Sequence, residues 1–215
     1  MTTEPLDALK NALLDLDKAK VLKIVDATAA SEDAGLAKQA IDDIAAGLQI
    51  VGSRFQEGEW FLNELVYSGE IAKQAMERLS PLLRDEGATS RGTVVIGTVL
   101  GDLHDLGKNI FVNYATSAGF EVIDLGVNVA VDDFTKAVVD HQPVALGISC
   151  LLTSAAGGIG RVIETLSAQS LRRPLKVIIG GAAITEAFAN EVGADAFAPD
   201  AVTGTDIIRT WNIES

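Results

Sequence analysis

The chain has 215 residues, 48% of them hydrophobic, enough to bury a real core, so extensive disorder is not expected. Thirty acidic against 17 basic residues give a formal charge of −13, the wrong sign for gripping a phosphate backbone, and no basic patch interrupts it. No basic leader opens the sequence and no apolar run approaches membrane-spanning length, so a cytoplasmic protein without nucleic-acid or membrane partners is expected; the single cysteine, Cys150, excludes an internal disulfide, and one Cys with two His falls short of a closed zinc site.

From about Pro5 to Glu86 apolar residues recur at helical spacing, as in Leu6, Leu9, Leu13, Leu16 and again in Ile41, Ile44, Leu48, Val51, with no proline between Pro5 and Pro81. This half predicts a bundle of four or five helices. In "EWFLNELVYSGEIAKQAMERL" the apolar positions Phe61, Leu62, Leu65, Ile71, Ala72, Ala75 and Leu79 exceed what one narrow seam requires, which points to a face that covers something besides other helices. The small, polar, glycine-bearing stretch "RDEGATSRG" (84–92) sets a boundary, giving a helical domain over 1–88 and a second domain over 89–215, with 87–92 as a hinge.

Beyond the boundary the pattern changes to short β-branched runs, "TVVIGTVL" (93–100), "FEVIDLGV" (120–127), "VALGISCL" (144–151), "KVIIGG" (176–181) and a weaker "DAFAPD" (195–200), separated by helical stretches. Near-continuous apolar strands alternating with helices predict an α/β domain with a doubly wound, five-stranded parallel sheet of flavodoxin or Rossmann type. Ligands of such sheets gather at the carboxyl ends of the strands, where 101–107, Ser149 to Thr153 and Gly180–Gly181 converge.

The loop "GDLHDLGKNI" places Asp102 two residues before His104, so its carboxylate can accept the imidazole N–H and fix the tautomer, leaving the other nitrogen to bind a metal or take a proton. A loop histidine held by a neighbouring acid is the plainer alternative. Asp105 follows, Gly107 permits the close approach of something bulky, and Lys108 and Asn109 begin the next helix. Other motifs fail: five residues rather than four separate the glycines of a would-be phosphate loop, "GISCL" lacks the closing glycine of a nucleophile elbow, and "AAGGIGRV" does not follow the first strand. Cys150 reads as a buried small hydrophobe, and His141 as a surface residue.

Taken together, Asp102-x-His104-x-x-Gly107, Ser149-x-Leu151 and Gly180–Gly181 resemble the signature of cobalamin-binding domains that take the cofactor with its own base displaced. The helical half, "GLQIVGSRFQEGEWFLNELVYSGEIAKQAMERLSPLL", is similar to the cap preceding that domain in methionine synthase and in small corrinoid proteins of methyltransferase systems. The resemblance covers about residues 5 to 212. It implies cobalamin as cofactor, cycling through methylcobalamin, cob(I)alamin and cob(II)alamin, with His104 as the lower ligand of cobalt and Asp102 as its hydrogen-bonded partner. Asp105, Gly107 and Thr153 fall within the same cofactor-binding segments. Ser149, Leu151, Gly180 and Gly181 would line the slot for the displaced dimethylbenzimidazole tail, and Phe55, Leu62 and Leu65 would shield the upper face. In methionine synthase a further serine extends the relay; that position here is Ala155, with Ser154 or a water as the replacement. Trp60 and Glu70 fit a pattern of light-sensing cobalamin repressors, but Ile71 stands where they carry histidine, so Trp60 reads as packing. The implied function is a methyl shuttle, not catalytic alone, between a substrate-specific methyltransferase and an acceptor methyltransferase acting on tetrahydrofolate or a thiol, with a reductive-activation protein as a further partner. A cobalamin-dependent sensor is the alternative.

Overall fold

The computed structural model describes residues 4–84 and 91–211. Most of the expected 84–92 boundary and 87–92 hinge therefore lies outside the described residues. The described chain divides into two compact units, one holding the N-terminal helices with Thr116–Ala118 and the other the remainder.

The helical unit contains α1 (Glu4–Leu14), α2 (Lys18–Ala30), α3 (Ala34–Gln56) and α4 (Leu62–Arg84), four helices among the described residues. Acidic side chains set their starts. Asp17 accepts a hydrogen bond from the Lys20 N–H at the head of α2, and Asp33 accepts from Leu36 at the head of α3. Ahead of α4, Glu64 reaches back to accept the Phe61 N–H at 2.9 Å, one half of a capping box. Of the seams expected from spacing, Leu9 and Leu13 on α1 and Ile41, Ile44, Leu48 and Val51 on α3 are buried, with Leu65, Ile71 and Leu79 buried on α4; Leu16 falls after α1 and is half-buried, and the Leu6 side chain lies outside the described residues. Trp60 is half-buried beneath the Arg54 guanidinium, which sits 5.1 Å from its ring.

The second unit alternates strand and helix: β1 (Thr93–Thr98), α5 (Leu106–Ser117), β2 (Glu121–Asp124), α6 (Val131–His141), β3 (Ala145–Ser149), α7 (Gly157–Ala168), β4 (Lys176–Gly180), α8 (Glu186–Val192), β5 (Ala196–Ala198) and α9 (Ala201–Trp211). All five strands are parallel in the order β2-β1-β3-β4-β5, the doubly wound arrangement expected from sequence. The chain leaves β1 to one side for β2 and returns to the other for β3, so the order reverses between β1 and β3 and opens a crevice at their carboxyl ends.

Strand ends differ from the sequence pattern for local reasons. β2 stops at Asp124 because that carboxylate turns back to accept the Gly126 N–H at 2.8 Å, and Gly126 has a φ of +82°. β3 ends at Ser149: the Cys150 N–H still reaches the Gly180 carbonyl at 2.9 Å, but the N–H groups of Leu151 and Leu152 leave the sheet for a side chain. Helix α5 starts at Leu106, earlier than the expected Lys108: the Asp105 carbonyl accepts the Asn109 N–H at 2.7 Å, which places Gly107 in the first turn and not in the loop. His141 ends α6 instead of lying in the connection.

Gly181 has a φ of +113°, and a Cβ placed there would stand 2.2 Å from the Cys150 carbonyl oxygen. Gly181→Ala is therefore expected to destabilise the protein by roughly 3 kcal/mol, read as a lower urea midpoint at unchanged slope. A loss below about 0.5 kcal/mol, the range of ordinary surface changes, would show that the backbone does not pass so closely there.

Candidate functional site

A buried carboxylate at the end of β1 organises the rim of the sheet. Asp102 has no solvent exposure, yet both of its oxygens are fully used. Oδ1 accepts the His104 backbone N–H at 3.0 Å and faces His104 Nδ1 at 2.7 Å; Oδ2 accepts the N–H groups of Leu151 at 2.5 Å and Leu152 at 3.1 Å. Burial raises the carboxyl's proton affinity, but these hydrogen bonds to the charged form outweigh it and hold the group well below the usual carboxylate range. Its carbonyl accepts the Asn128 N–H at 2.9 Å, and the Asn128 side chain accepts the Gly101 N–H at 2.8 Å. One residue thus ties together the loops that follow β1, β2 and β3.

His104 is positioned from every side except one. Its N–H and Nδ1 go to Asp102, its carbonyl accepts the buried Thr98 hydroxyl at 3.0 Å, and its side chain remains 53% exposed. An ionised carboxylate at Nδ1 favours the tautomer with the proton there, which leaves the Nε2 lone pair available.

The expected relay serine has no counterpart. Ala155 is buried, Ser154 is exposed, and no hydrogen bond joins Ser154 to Asp102 among the described residues; the amides of Leu151 and Leu152 occupy the carboxylate instead. Cys150 is buried, as expected from sequence, and burial pushes its thiol up to about 11, with the Asp102 charge adding to the shift.

Leucines flank the motif. Leu100, Leu103, Leu151 and Leu152 are exposed on the two loops that Asp102 joins, Leu103 to 70%, and Leu106 is exposed at the start of α5. So much apolar surface on one rim marks a binding face. Of these, sequence reasoning identified only Leu151, and as a slot residue; the signal for the others was a leucine at nearly every second or third position beside the motif.

Beside this face lies a cleft of about 120 Å³ lined by Gly107, Lys108 and Phe111 of α5, by Ser149, Gly180 and Gly181 at the strand ends, and by Ala198 to Ala201 before and at the start of α9. Ser149, Gly180 and Gly181 thus share one cavity, whereas Leu151 and Thr153 lie outside its lining, exposed on the loop. Gly107 has nothing within 4 Å of where a Cβ would stand, which keeps the approach open. Gly180 and Gly181 are constrained differently: their would-be Cβ atoms meet the Ala198 and Cys150 carbonyls, so the sheet itself demands glycine there. Lys108, which the sequence pattern placed only at a helix start, is 3% exposed on the cleft wall, its amine 2.5 Å from Asp124 and 2.7 Å from Asn109. Asp105 is exposed and accepts from the Asn109 side chain at 3.1 Å.

In the helical unit, Leu65 is buried, Phe55 is half-buried and Leu62 is exposed. Phe61, 70% exposed, and Tyr67 extend the exposed surface beside Leu62.

The donor set fits a metal that brings most of its own ligands. Among the described residues no group of three or more His, Cys, Asp or Glu could hold an ion. A single oriented imidazole, set in a broad apolar face with an adjoining cleft, suits a flat macrocycle with a pendant tail.

Comparison with known proteins agrees. Residues 92–206 match the B12 binding domain family, and residues 5–80 match a second family of the same description. The chain is 35% identical over 199 residues to a corrinoid protein of Desulfitobacterium hafniense (strain Y51), covering 91% of this chain and 92% of that one. It is 36% identical over 200 residues to dimethylamine corrinoid protein 1 of Methanosarcina acetivorans, covering 92% of each. A crystal structure of a cobalamin-binding protein from Desulfitobacterium hafniense DCB-2, 39% identical, superposes with a TM-score of 0.80 over 96% of this chain and 98% of that one. The chain therefore belongs to the B12-binding domain family and is a cobalamin-binding protein.

Proposed function

We propose that this protein is a corrinoid methyl carrier, holding cobalamin with its own base displaced and His104 in that base's place. The observation that carries the reading is the imidazole itself, anchored at Nδ1 by Asp102 and half-exposed among five leucines. Cobalamin supplies cobalt chemistry in which a methyl group is accepted and passed on.

The chain's own residues do the remaining work. His104 Nε2 would hold the metal, and Asp102, accepting the ring proton at Nδ1, selects the tautomer with its lone pair at Nε2 and makes that nitrogen a stronger donor. The Leu151 and Leu152 amides fix the carboxylate in turn, so neither group must reorganise when the ligand arrives. The exposed leucines would hold the cofactor by its apolar surface and keep water from the histidine, and the cleft lined by Ser149, Gly180 and Gly181 would take the nucleotide tail. The exposed apolar side chains of the helical unit, Phe61, Leu62 and Tyr67, offer a surface of the kind that shields a reactive upper ligand.

Dimethylamine corrinoid proteins at 36% and 35% identity support methylated amines as the donor class, read by a substrate-specific methyltransferase. A second methyltransferase, acting on tetrahydrofolate or a thiol, would be the acceptor. Transfer of label from methyl-labelled dimethylamine to the corrinoid-loaded chain, in the presence of a dimethylamine methyltransferase, tests this pairing. About one label per bound corrinoid is expected, and none would remove dimethylamine as donor.

Two variants separate ligation from architecture. His104→Ala removes one of the contacts to the buried Asp102 carboxylate and should cost roughly 1–2 kcal/mol, leaving the protein folded. Loaded with cob(II)alamin carrying nitrogen-15 in its dimethylbenzimidazole, the wild type should show superhyperfine coupling from unlabelled nitrogen, absent in His104→Ala. Coupling from the labelled base in the wild type would place His104 off the metal.

Asp102→Asn keeps the shape but offers N–H groups where two buried donors need an acceptor, and should cost roughly 3 kcal/mol. The folded-state carboxyl is held below its unfolded value, so its contribution is complete above about pH 4 and is lost as pH falls through the lower folded value. The stability gap between wild type and Asp102→Asn should therefore narrow below about pH 4; a gap constant with pH would mean that the carboxylate charge is not what stabilises the loops.

A further inference from the structure

The cleft is polar at its mouth and apolar at its floor. Register places Ser149 beside Gly180 at the strand ends, and one pleat deeper on the same face Gly147 pairs with Ile96 on one side and Ile178 on the other. Phe111 of α5 adds a further apolar side chain, and all four residues line the cleft. The polar side chains of the lining are Lys108, Ser149 and Asp200. Lys108 is committed to Asp124 and Asn109, and Asp200 accepts the backbone N–H and hydroxyl of Thr203 at 2.8 Å each. None of the three belongs to the Ile96–Gly147–Ile178 row.

We propose that this floor selects the corrinoid by its lower base, taking benzimidazole-type bases and discriminating against purines. The inference rests on the reading that the nucleotide tail enters the cleft. A dimethylbenzimidazole presents a hydrocarbon ring with two methyl groups to whatever lies deepest. Adenine presents ring nitrogens and an exocyclic amine, which against Ile96, Gly147, Ile178 and Phe111 lose their water and gain no partner. Gly147 sets the depth: a Cβ there would stand 3.1 Å from the Ile96 side chain, so a larger residue fills the floor.

The test is equilibrium competition for the full chain free of cofactor, followed by absorbance, among cobalamin, the adenine-bearing cobamide and cobinamide, which has no base. Cobalamin is expected to bind about 10- to 100-fold tighter than the adenine form, with cobinamide also weaker than cobalamin. Equal affinity for cobalamin and the adenine form, both tighter than cobinamide, would overturn the selectivity while leaving the tail in the cleft. If all three bind alike, the tail does not enter the cleft and the selectivity falls with that reading. Gly147→Val, checked for native circular dichroism, should weaken cobalamin and leave cobinamide unchanged; equal weakening of both would also count against a base-reading floor.

Discussion

A carboxylate taken out of water must find donors for both oxygens or be protonated. Asp102 meets that demand with four contacts drawn from two loops, and the rim is built around the result. The amides that satisfy Oδ2 are those that β3 would otherwise have used to continue as a strand, so one hydrogen-bonding requirement both ends the strand and exposes Leu151 and Leu152. Oδ1 serves the backbone and ring of His104 together, which fixes the histidine by two points instead of one. The Asp102 carbonyl recruits Asn128, and with it the loop after β2. Removing the charge would loosen the loops after β1 and β3 together, while the loop after β2 stays tied through the backbone.

The amides of Leu151 and Leu152 change the character of the expected relay. A serine hydroxyl can donate to a carboxylate or accept from it and so can pass a proton. A backbone amide only donates. With Ala155 buried where the relay serine would stand, the Asp–His pair ends in fixed main-chain dipoles. That arrangement favours an Asp102 that stays ionised below the usual carboxylate range and a constant tautomer at His104 over proton exchange along a chain.

Much of this was legible in the sequence because the signals were local. Helical and strand periods separated the two halves, and alternating β-branched runs gave the parallel sheet. Asp102 and His104, two residues apart in a glycine-flanked loop, predicted their own contact. The parts that were not legible depend on distant segments meeting. Nothing near Lys108 announces that its amine will be buried against Asp124, sixteen residues on, or that Phe111 will floor a cleft with Ile96 and Ile178. The leucines around His104 were visible but ambiguous, since leucines in a chain with 48% hydrophobic residues are usually core. Only their exposure distinguishes them. For Gly180 and Gly181, expected from the pattern to line a slot, the structure gives neighbouring backbone, at Ala198 and Cys150, as a sufficient reason for glycine.

Those two glycines bear on how the cofactor is loaded. The approach of β4 to its neighbours is fixed by contacts within the chain, so a cofactor that used this wall would meet a surface whose ordering entropy is lost in folding and is not charged again on binding.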